Sequence, residues 1–412
     1  MKYPANIGKS QKVLLIFVFF ATGLMYSILN LTLLYGVHSP YILGVLNLSV
    51  FSIVILLTIG SLINGEFGKL RAPIYCLVLY TIMVMIVLAL YKPADQGMIK
   101  YDGGLGWISN FYFLMAYAIA PTLMYLAPRA RFMFIVKNSW IIYVPALITV
   151  LIIIFFMGDL GLEVVAGLSS PDVGRSTTKA PMGVLFVISM CWVVLGKSIF
   201  KMLFGLVGAF IAVYAIRSSS SQSLLISSLL AFITLGFLSL KNKFSLLKSV
   251  VLTIALIVGL GYFVVDNVAF ERLSNIFYVE DFYMFGGKYD VSRLEFAKQG
   301  MDLFLSSPIC GGNAYLPMGT YTHFYLVDIL MATGLIGAFL CVVVYFGMFK
   351  GFMYGLSHLK TEYLWIIPFA VFYMSQFFFH GSLISIIYIP TGIFLALYLM
   401  RENNIPPCPS VS

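Results

Sequence analysis

Apolar runs of about twenty residues, the length of a helix that crosses a bilayer, alternate along this chain with short polar connections. Read at that period, the pattern predicts spans near 13–36, 40–63, 72–91, 105–127, 139–157, 181–196, 202–217, 223–240, 245–265, 322–349, 361–379 and 382–400. The sixth and seventh runs are short and need Lys197 and Lys201 to snorkel from a tight turn between them. Only 266–321 is a long polar interval. The chain therefore divides into nine predicted spans over 1–265, an outer loop over 266–321, three further spans over 322–401, and a tail, 402–412, with the look of a disordered end. The predicted fold class is an all-α polytopic membrane protein of about twelve transmembrane helices with one large, partly helical external loop.

Composition agrees with that pattern. Of the 412 residues 61% are hydrophobic and 10% charged, whereas about a quarter of an ordinary soluble domain is charged. The first apolar run, opening after Lys2, Lys9 and Lys12, is too long for the roughly 7–15-residue core of a cleaved signal peptide.

Charge sets the expected orientation. With the N-terminus inside, the inner segments collect the three N-terminal lysines, Lys69, Arg71, Arg129, Arg131, Lys137, Lys197, Lys201, Lys241, Lys243, Lys248, Lys350, Lys360 and Arg401. That is sixteen of the 25 basic residues, while twelve of the 16 acids fall outside, the positive-inside pattern. The net charge of +9 then orients the chain against an anionic inner leaflet and implies no nucleic acid.

The five cysteines form no disulfide framework. The sequence also holds no Cys/His cluster at metal spacing, no P-loop, no dinucleotide fingerprint and no fixed-period repeat. No metal or cofactor is expected.

Candidate chemistry concentrates between Ser292 and Gly337. Ser292 with Glu295 three residues on is a capping-box pattern that starts a helix. Leu294, Ala297, Met301, Phe304 and Leu305 give that helix one apolar side, and Pro308 with Gly311-Gly312 ends it. Arg293 lies in its first turn, where a cation opposes the macrodipole, as expected of a group kept for an anionic ligand. Thr320 or Thr322 is expected to cap the tenth span and so place His323 in its first turn, where the positive helix end favours a neutral, basic imidazole. Asp328 is the one acid well inside a predicted span, expected to face a water-filled cavity. Elsewhere on the outer side, Arg175 and Lys179 fall in the loop GLSSPDVGRSTTKAP, and Arg217 ends the seventh span beside four serines beginning at Ser218. Position alone also fits Arg217 as a headgroup anchor. His38 and His380 lack comparable surroundings.

The layout SRLEFAKQGMDLFLSSPI, a short variable piece, then THFYLVDILMATGLIG resembles the signature of the O-antigen ligase and O-antigen polymerase superfamily. Those are membrane proteins of about a dozen helices with one large periplasmic loop late in the chain. The elements that match are Arg293 opening a loop helix, Ser307-Pro308 ending it, His323 opening the next span, and the turn Gly334-Leu335-Ile336-Gly337. Arg217 with its serines is similar to a further family arginine at the outer end of a middle span, and the neighbourhood of Arg175 resembles an earlier loop. Phe324 stands where the ligase branch usually has Asn, which suits the polymerases.

The resemblance implies a glycosyltransferase on the periplasmic face of the bacterial inner membrane, multi-pass, with both termini cytoplasmic. It would join undecaprenyl-diphosphate-linked repeat units, the lipid-linked glycan serving as donor and acceptor, with a chain-length regulator among its partners. In that reading Arg217 and Arg293 clamp the departing diphosphate, since guanidinium binds phosphate bidentately, and His323 takes the proton of the attacking hydroxyl. Arg175, Lys179, Ser218 and Asp328 are the expected contacts to diphosphate and sugar. Two alternatives stand beside it. One is an O-antigen ligase passing finished polymer to lipid A-core; the other, from a different class, is a flippase or transporter of lipid-linked saccharides, for which related halves and mid-membrane charges would be expected.

Overall fold

The computed structural model of the chain describes residues 7–34, 40–90, 114–168, 171–218, 222–241, 281–284, 287–290, 293–317, 321–322, 324–380 and 388–403. Within them the apolar runs are helices, because backbone N–H and C=O groups surrounded by apolar side chains must bond within their own segment. In chain order these are α1 (Lys9–Leu34), α2 (Pro40–Ile63), α3 (Ala72–Leu90), a π-helical turn (Leu114–Ile119) running into α4 (Ala120–Tyr125), α5 (Arg129–Lys137), α6 (Trp140–Leu168), α7 (Pro171–Leu195), α8 (Ile199–Ser218) and α9 (Gln222–Lys241). A short antiparallel hairpin follows, β1 (Asp281–Met284) with β2 (Gly287–Asp290), pairing Phe282 with Tyr289. Then come α10 (Arg293–Ser306), α11 (Tyr325–His358), α12 (Ile366–His380) and α13 (Tyr388–Glu402).

This is a helical membrane protein. Among the described residues four segments are long and apolar enough to cross a bilayer: Val45–Ile63, Ala72–Leu90, Ile199–Ile216 and Tyr325–His358. The bent pair Arg129–Lys137 and Trp140–Phe155, meeting at 51°, adds a fifth if taken as one span, and Ala180–Leu195 and Ser223–Ser239 are shorter apolar helices. The expected span 245–265 and the first part of the outer loop, residues 266–280, lie outside the described residues.

Helix directions follow from a few close contacts. α7 and α8 form a hairpin across residues 196–198, and small residues let their backbones approach. A Cβ at Gly205 would meet Ser189 O at 2.8 Å, and one at Gly208 would meet Ser189 Oγ at 2.5 Å. α9 packs on α12, where Gln376 Nε2 donates to Ser223 O at 3.0 Å. α12 in turn follows α11 after residues 359–365. The start of α7, the end of α8, the start of α9, the start of α11 and the end of α12 therefore share one end of the bundle.

The opposite end is cationic. Trp365 Nε1 donates to Val136 O at 2.8 Å, bringing Lys137 to the α11–α12 connection. Lys69 N–H donates to Asn403 Oδ1 at 3.3 Å, joining the α2–α3 connection to the end of α13. Lys197, Lys201, Lys360 and Arg401 lie at the same end, so the segregation of charge seen along the sequence becomes one basic rim.

Arg131 departs from that rim. It is buried, with its guanidinium under the C-terminal end of α2, where it donates to Leu57 O at 2.8 Å and to Ser61 Oγ, and lies 3.8 Å from Glu66. Its charge meets the negative end of that helix, so this cation holds two helices together instead of facing headgroups.

Candidate functional site

The site lies at the end of the bundle opposite the basic rim, where α10 packs against the start of α11. α10 spans Arg293–Ser306 with Glu295 in its first turn, as the sequence predicts; Ser292, its expected cap, lies outside the described residues. Its packed face differs from the expectation. The buried stripe is Phe296 and Gly300 with Leu303 beneath them, and Phe296 forms a small core with Leu316 and Met331. Met301 and Phe304 are only partly covered, and Leu305 is 65% exposed. That second apolar stripe faces outward with Ile309 and Leu326, continuous with the exposed Leu335, Ile336 and Phe339 of α11. Spacing alone could not tell an apolar stripe packed on protein from one resting in lipid.

Gly300 sets how closely α10 approaches. A Cβ there would run into the Thr322 methyl and stand 2.7 Å from Val327 Cγ1. Position 293 is seven residues earlier, two turns along a helix of 3.6 residues per turn, and so shares the stripe of Phe296 and Gly300 about 10 Å away. The backbone of Arg293 thus stands on the face of α10 turned toward Thr322.

α11 is 34 residues long, about 51 Å at 1.5 Å per residue against a hydrocarbon core of about 30 Å. It is broken at Gly334, where φ is 62° and ψ −160°. Residues 325–333 form a separate stub before a long helix over 335–358. In an unbroken helix Met331 O would accept from Leu335 and Ala332 O from Ile336. Here a turn inserts between them: Met331 O accepts the Asn313 N–H (3.2 Å) and Ala332 O the Gly312 N–H (2.9 Å), while Leu335 N–H donates to Pro308 O (2.9 Å) and Ile336 N–H to Ile309 O (3.2 Å). The two opened helix bonds are replaced by four, leaving none of these groups orphaned at a depth where an unmade bond is expensive. The end of α10 is stitched into α11.

His323 lies outside the described residues, but both neighbours are fixed. The helix begins at Tyr325 with Phe324 as its N-cap and no side-chain cap among the described residues, so Thr322 does not cap it; Thr320, the other expected cap, lies outside the described residues. The capping runs the other way. Asp328, fully buried, reaches back, and its Oδ1 accepts the Thr322 N–H at 2.9 Å and the Thr322 hydroxyl at 2.8 Å. Thr322 Oγ1 accepts the Phe324 N–H at 3.1 Å, and Phe324 O accepts the Asp328 N–H at 3.0 Å. Among the described residues Asp328 Oδ2 has no partner. Asp328 therefore holds Thr322 and, through it, Phe324, where the sequence led us to expect it facing a water-filled cavity.

Of the remaining predicted positions the backbone is described. Arg175 and Lys179 are not in a loop: α7 starts at Pro171, ten residues before the predicted span. Proline is well tolerated at a helix's first position, where its missing N–H would be unsatisfied in any case. Arg217 and Ser218 close α8. The α7–α8 register, with Gly205 and Gly208 opposite Ser189, puts position 217 level with 178–180 and Arg175 about one turn further out. Arg175, Lys179, Arg217, Ser218, Arg293 and Asp328 thus all lie toward one end of the bundle.

Sequence reasoning missed the close approach at Gly300, the insertion of the 308–313 turn into α11, and the bond from Thr322 to Asp328. Isolated glycines inside helical patterns, Gly300 and Gly334, were the available signal. Among the described residues no three His, Cys, Asp or Glu side chains gather as metal ligands. No family model matches the chain, and no curated protein matches it.

Proposed function

We propose that this protein is an O-antigen-type polymerase of the bacterial inner membrane, with about twelve spans, both termini cytoplasmic and its reacting end in the periplasm. The reading rests on the sequence resemblance, and the observation that carries it furthest is the shared stripe of Arg293, Phe296 and Gly300 against Thr322. It supports the reading by setting the backbone of Arg293 on the face of α10 that packs on Thr322, the sequence neighbour of His323. A site built this way meets the need of glycosyl transfer from a lipid diphosphate: a fixed cation and a fixed base.

The proposed step is a single inverting displacement. The acceptor hydroxyl oxygen bonds to the anomeric carbon of the donor sugar as the bond from that carbon to the diphosphate oxygen breaks. The hydroxyl proton passes to His323, and undecaprenyl diphosphate leaves with its charge held by Arg293 and Arg217. Arg175, Lys179 and Ser218 extend the diphosphate and sugar contacts, while Asp328 serves by holding Thr322. Guanidinium groups supply the charge stabilisation in this scheme, with a lipid-linked glycan as both partners.

Deletion of the gene in its host tests the reading. Loss of surface glycan longer than one repeat unit, with single repeats still attached, is the expected result. Lipid-linked polymer accumulating unattached would identify a ligase instead, and repeat units trapped on the cytoplasmic leaflet would identify a transporter.

A further inference from the structure

At the basic rim, at the far end of α11 from Asp328, a cavity of about 270 Å³ opens between the α5–α6 bend, the α7–α8 turn and the α11–α12 connection. Lys137, Lys197 and Lys201 line it, against Glu362 as its one acid. Lys197 Nζ lies 3.4 Å from Glu362, which leaves the cavity two positive charges in excess. Its back wall is rigid: Trp192 Nε1 donates to Ser139 Oγ at 2.8 Å, and the Trp365 indole is bonded to Val136 O. α8 opens here, with Ser198 O accepting the Met202 N–H at 3.1 Å. The amides of its first turn, which have no intrahelical acceptor, add positive potential on the same side.

We propose that this cavity binds the phosphate headgroup of an anionic phospholipid. The charge requires an anion. The volume is below the roughly 300–1,000 Å³ of a pocket that encloses a drug-sized ligand, so it takes a headgroup rather than a lipid-linked saccharide. A lipid is chosen over a soluble phosphate because an apolar track starts at the rim. Ile199 and Phe200, next to Ser198 and Lys201, are 65% and 70% exposed, and Leu203, Phe204 and Val207 continue outward along α8, a bed for acyl chains below the headgroup. Basic pockets between helices on the positive side of a membrane protein recognise headgroups in this way.

The test uses the purified full-length chain in detergent, titrated with dioleoyl phosphatidylglycerol or dioleoyl phosphatidylcholine, with bound lipid counted by native mass spectrometry. Phosphatidylglycerol should bind first and more tightly. K137Q/K201Q should lose about thirtyfold in that affinity, on the order of fivefold per lysine. Glu362→Gln, which removes the opposing charge, should instead gain about fivefold. Misfolding would weaken both variants, so the opposite signs separate recognition from damage. Equal binding of phosphatidylcholine, or weakening in both variants, overturns the proposal; displacement of the lipid by millimolar inorganic phosphate overturns the choice of a lipid.

Discussion

Gly311 and Gly334 each pack on the backbone just before the other, Gly311 on Ala332–Thr333 and Gly334 on Ile309–Cys310. Gly311, with φ 65°, is placed so that a Cβ would lie 2.5 Å from the carbonyl of Ala332, and Gly334, with φ 62°, so that one would lie 2.5 Å from the carbonyl carbon of Ile309. Each glycine occupies the gap the other's strand of chain leaves open. Left-handed backbone at an L-residue costs about 1–2 kcal/mol, and the clash with a hydrogen-bonded carbonyl adds to it. Gly311→Ala and Gly334→Ala should each destabilise by about 2–4 kcal/mol, read as a lower thermal midpoint of purified protein in detergent. Wild-type midpoints for both would mean that the turn does not enter the helix break.

The Asp328 carboxylate separates bracing from chemistry. Asparagine keeps an oxygen that accepts from both Thr322 groups, whereas alanine leaves the buried Thr322 N–H without that acceptor, at about 1–3 kcal/mol, the hydroxyl still having Phe324 O at 3.0 Å. If Asp328 only positions the turn, Asp328→Asn should retain most of the polymerisation rate and Asp328→Ala should lose both stability and rate. Equal loss in both, with Asp328→Asn folded normally, would return Asp328 to direct contact with sugar or proton.

Gly300 tests whether the spacing of α10 matters to turnover. Gly300→Ala forces the helix away from Thr322 by a fraction of a methyl group's width. Misplacements near 1 Å can lower rates about a hundredfold, so glycan elongation should fall by about 10- to 100-fold with a modest change in thermal midpoint. An unchanged rate would show that Arg293 and His323 do not work as one site.

Arg131→Met removes the guanidinium under α2 and leaves Leu57 O, Ser61 and Glu66 without it. Hydrogen bonds to charged groups contribute about 1.5–3 kcal/mol, so the midpoint should drop while elongation at low temperature stays near normal, the residue being at the other end of the bundle. A loss of rate without loss of stability would contradict a structural role.

Much of the described helical pattern was legible because apolar length is a coarse signal. Ala72–Leu90 and Gln222–Lys241 match their predicted runs within a residue or so. The loop helix was legible from Glu295 and from Ser307-Pro308. The start of α7 at Pro171 was not, because a Gly/Ser/Pro-rich stretch reads as loop until its proline is recognised as a first-turn residue. The break in α11 was hidden for a different reason. Residues 325–358 are apolar on both sides of Gly334, and what opens the helix is a turn more than twenty residues earlier, a partner that no local window contains. The same distance hid the link from Gly300 to Thr322. Asp328 was singled out correctly as unusual, but its partner Thr322, six residues back, was read only as a helix cap, and helical periodicity carries no sign of a bond between the two.

In the proposed function Arg293 on the loop helix and the imidazole of His323 together move a glycan off a lipid diphosphate. The direct measurement is elongation of undecaprenyl-diphosphate-linked repeat units by purified protein in detergent, with product length and released undecaprenyl diphosphate followed together. Lengthened glycan with one carrier released per bond is expected, and a fall of about a hundredfold or more in Arg293→Ala and His323→Ala at unchanged thermal midpoint. Wild-type rates in either variant, or no elongation by the intact protein, would contradict the proposed function.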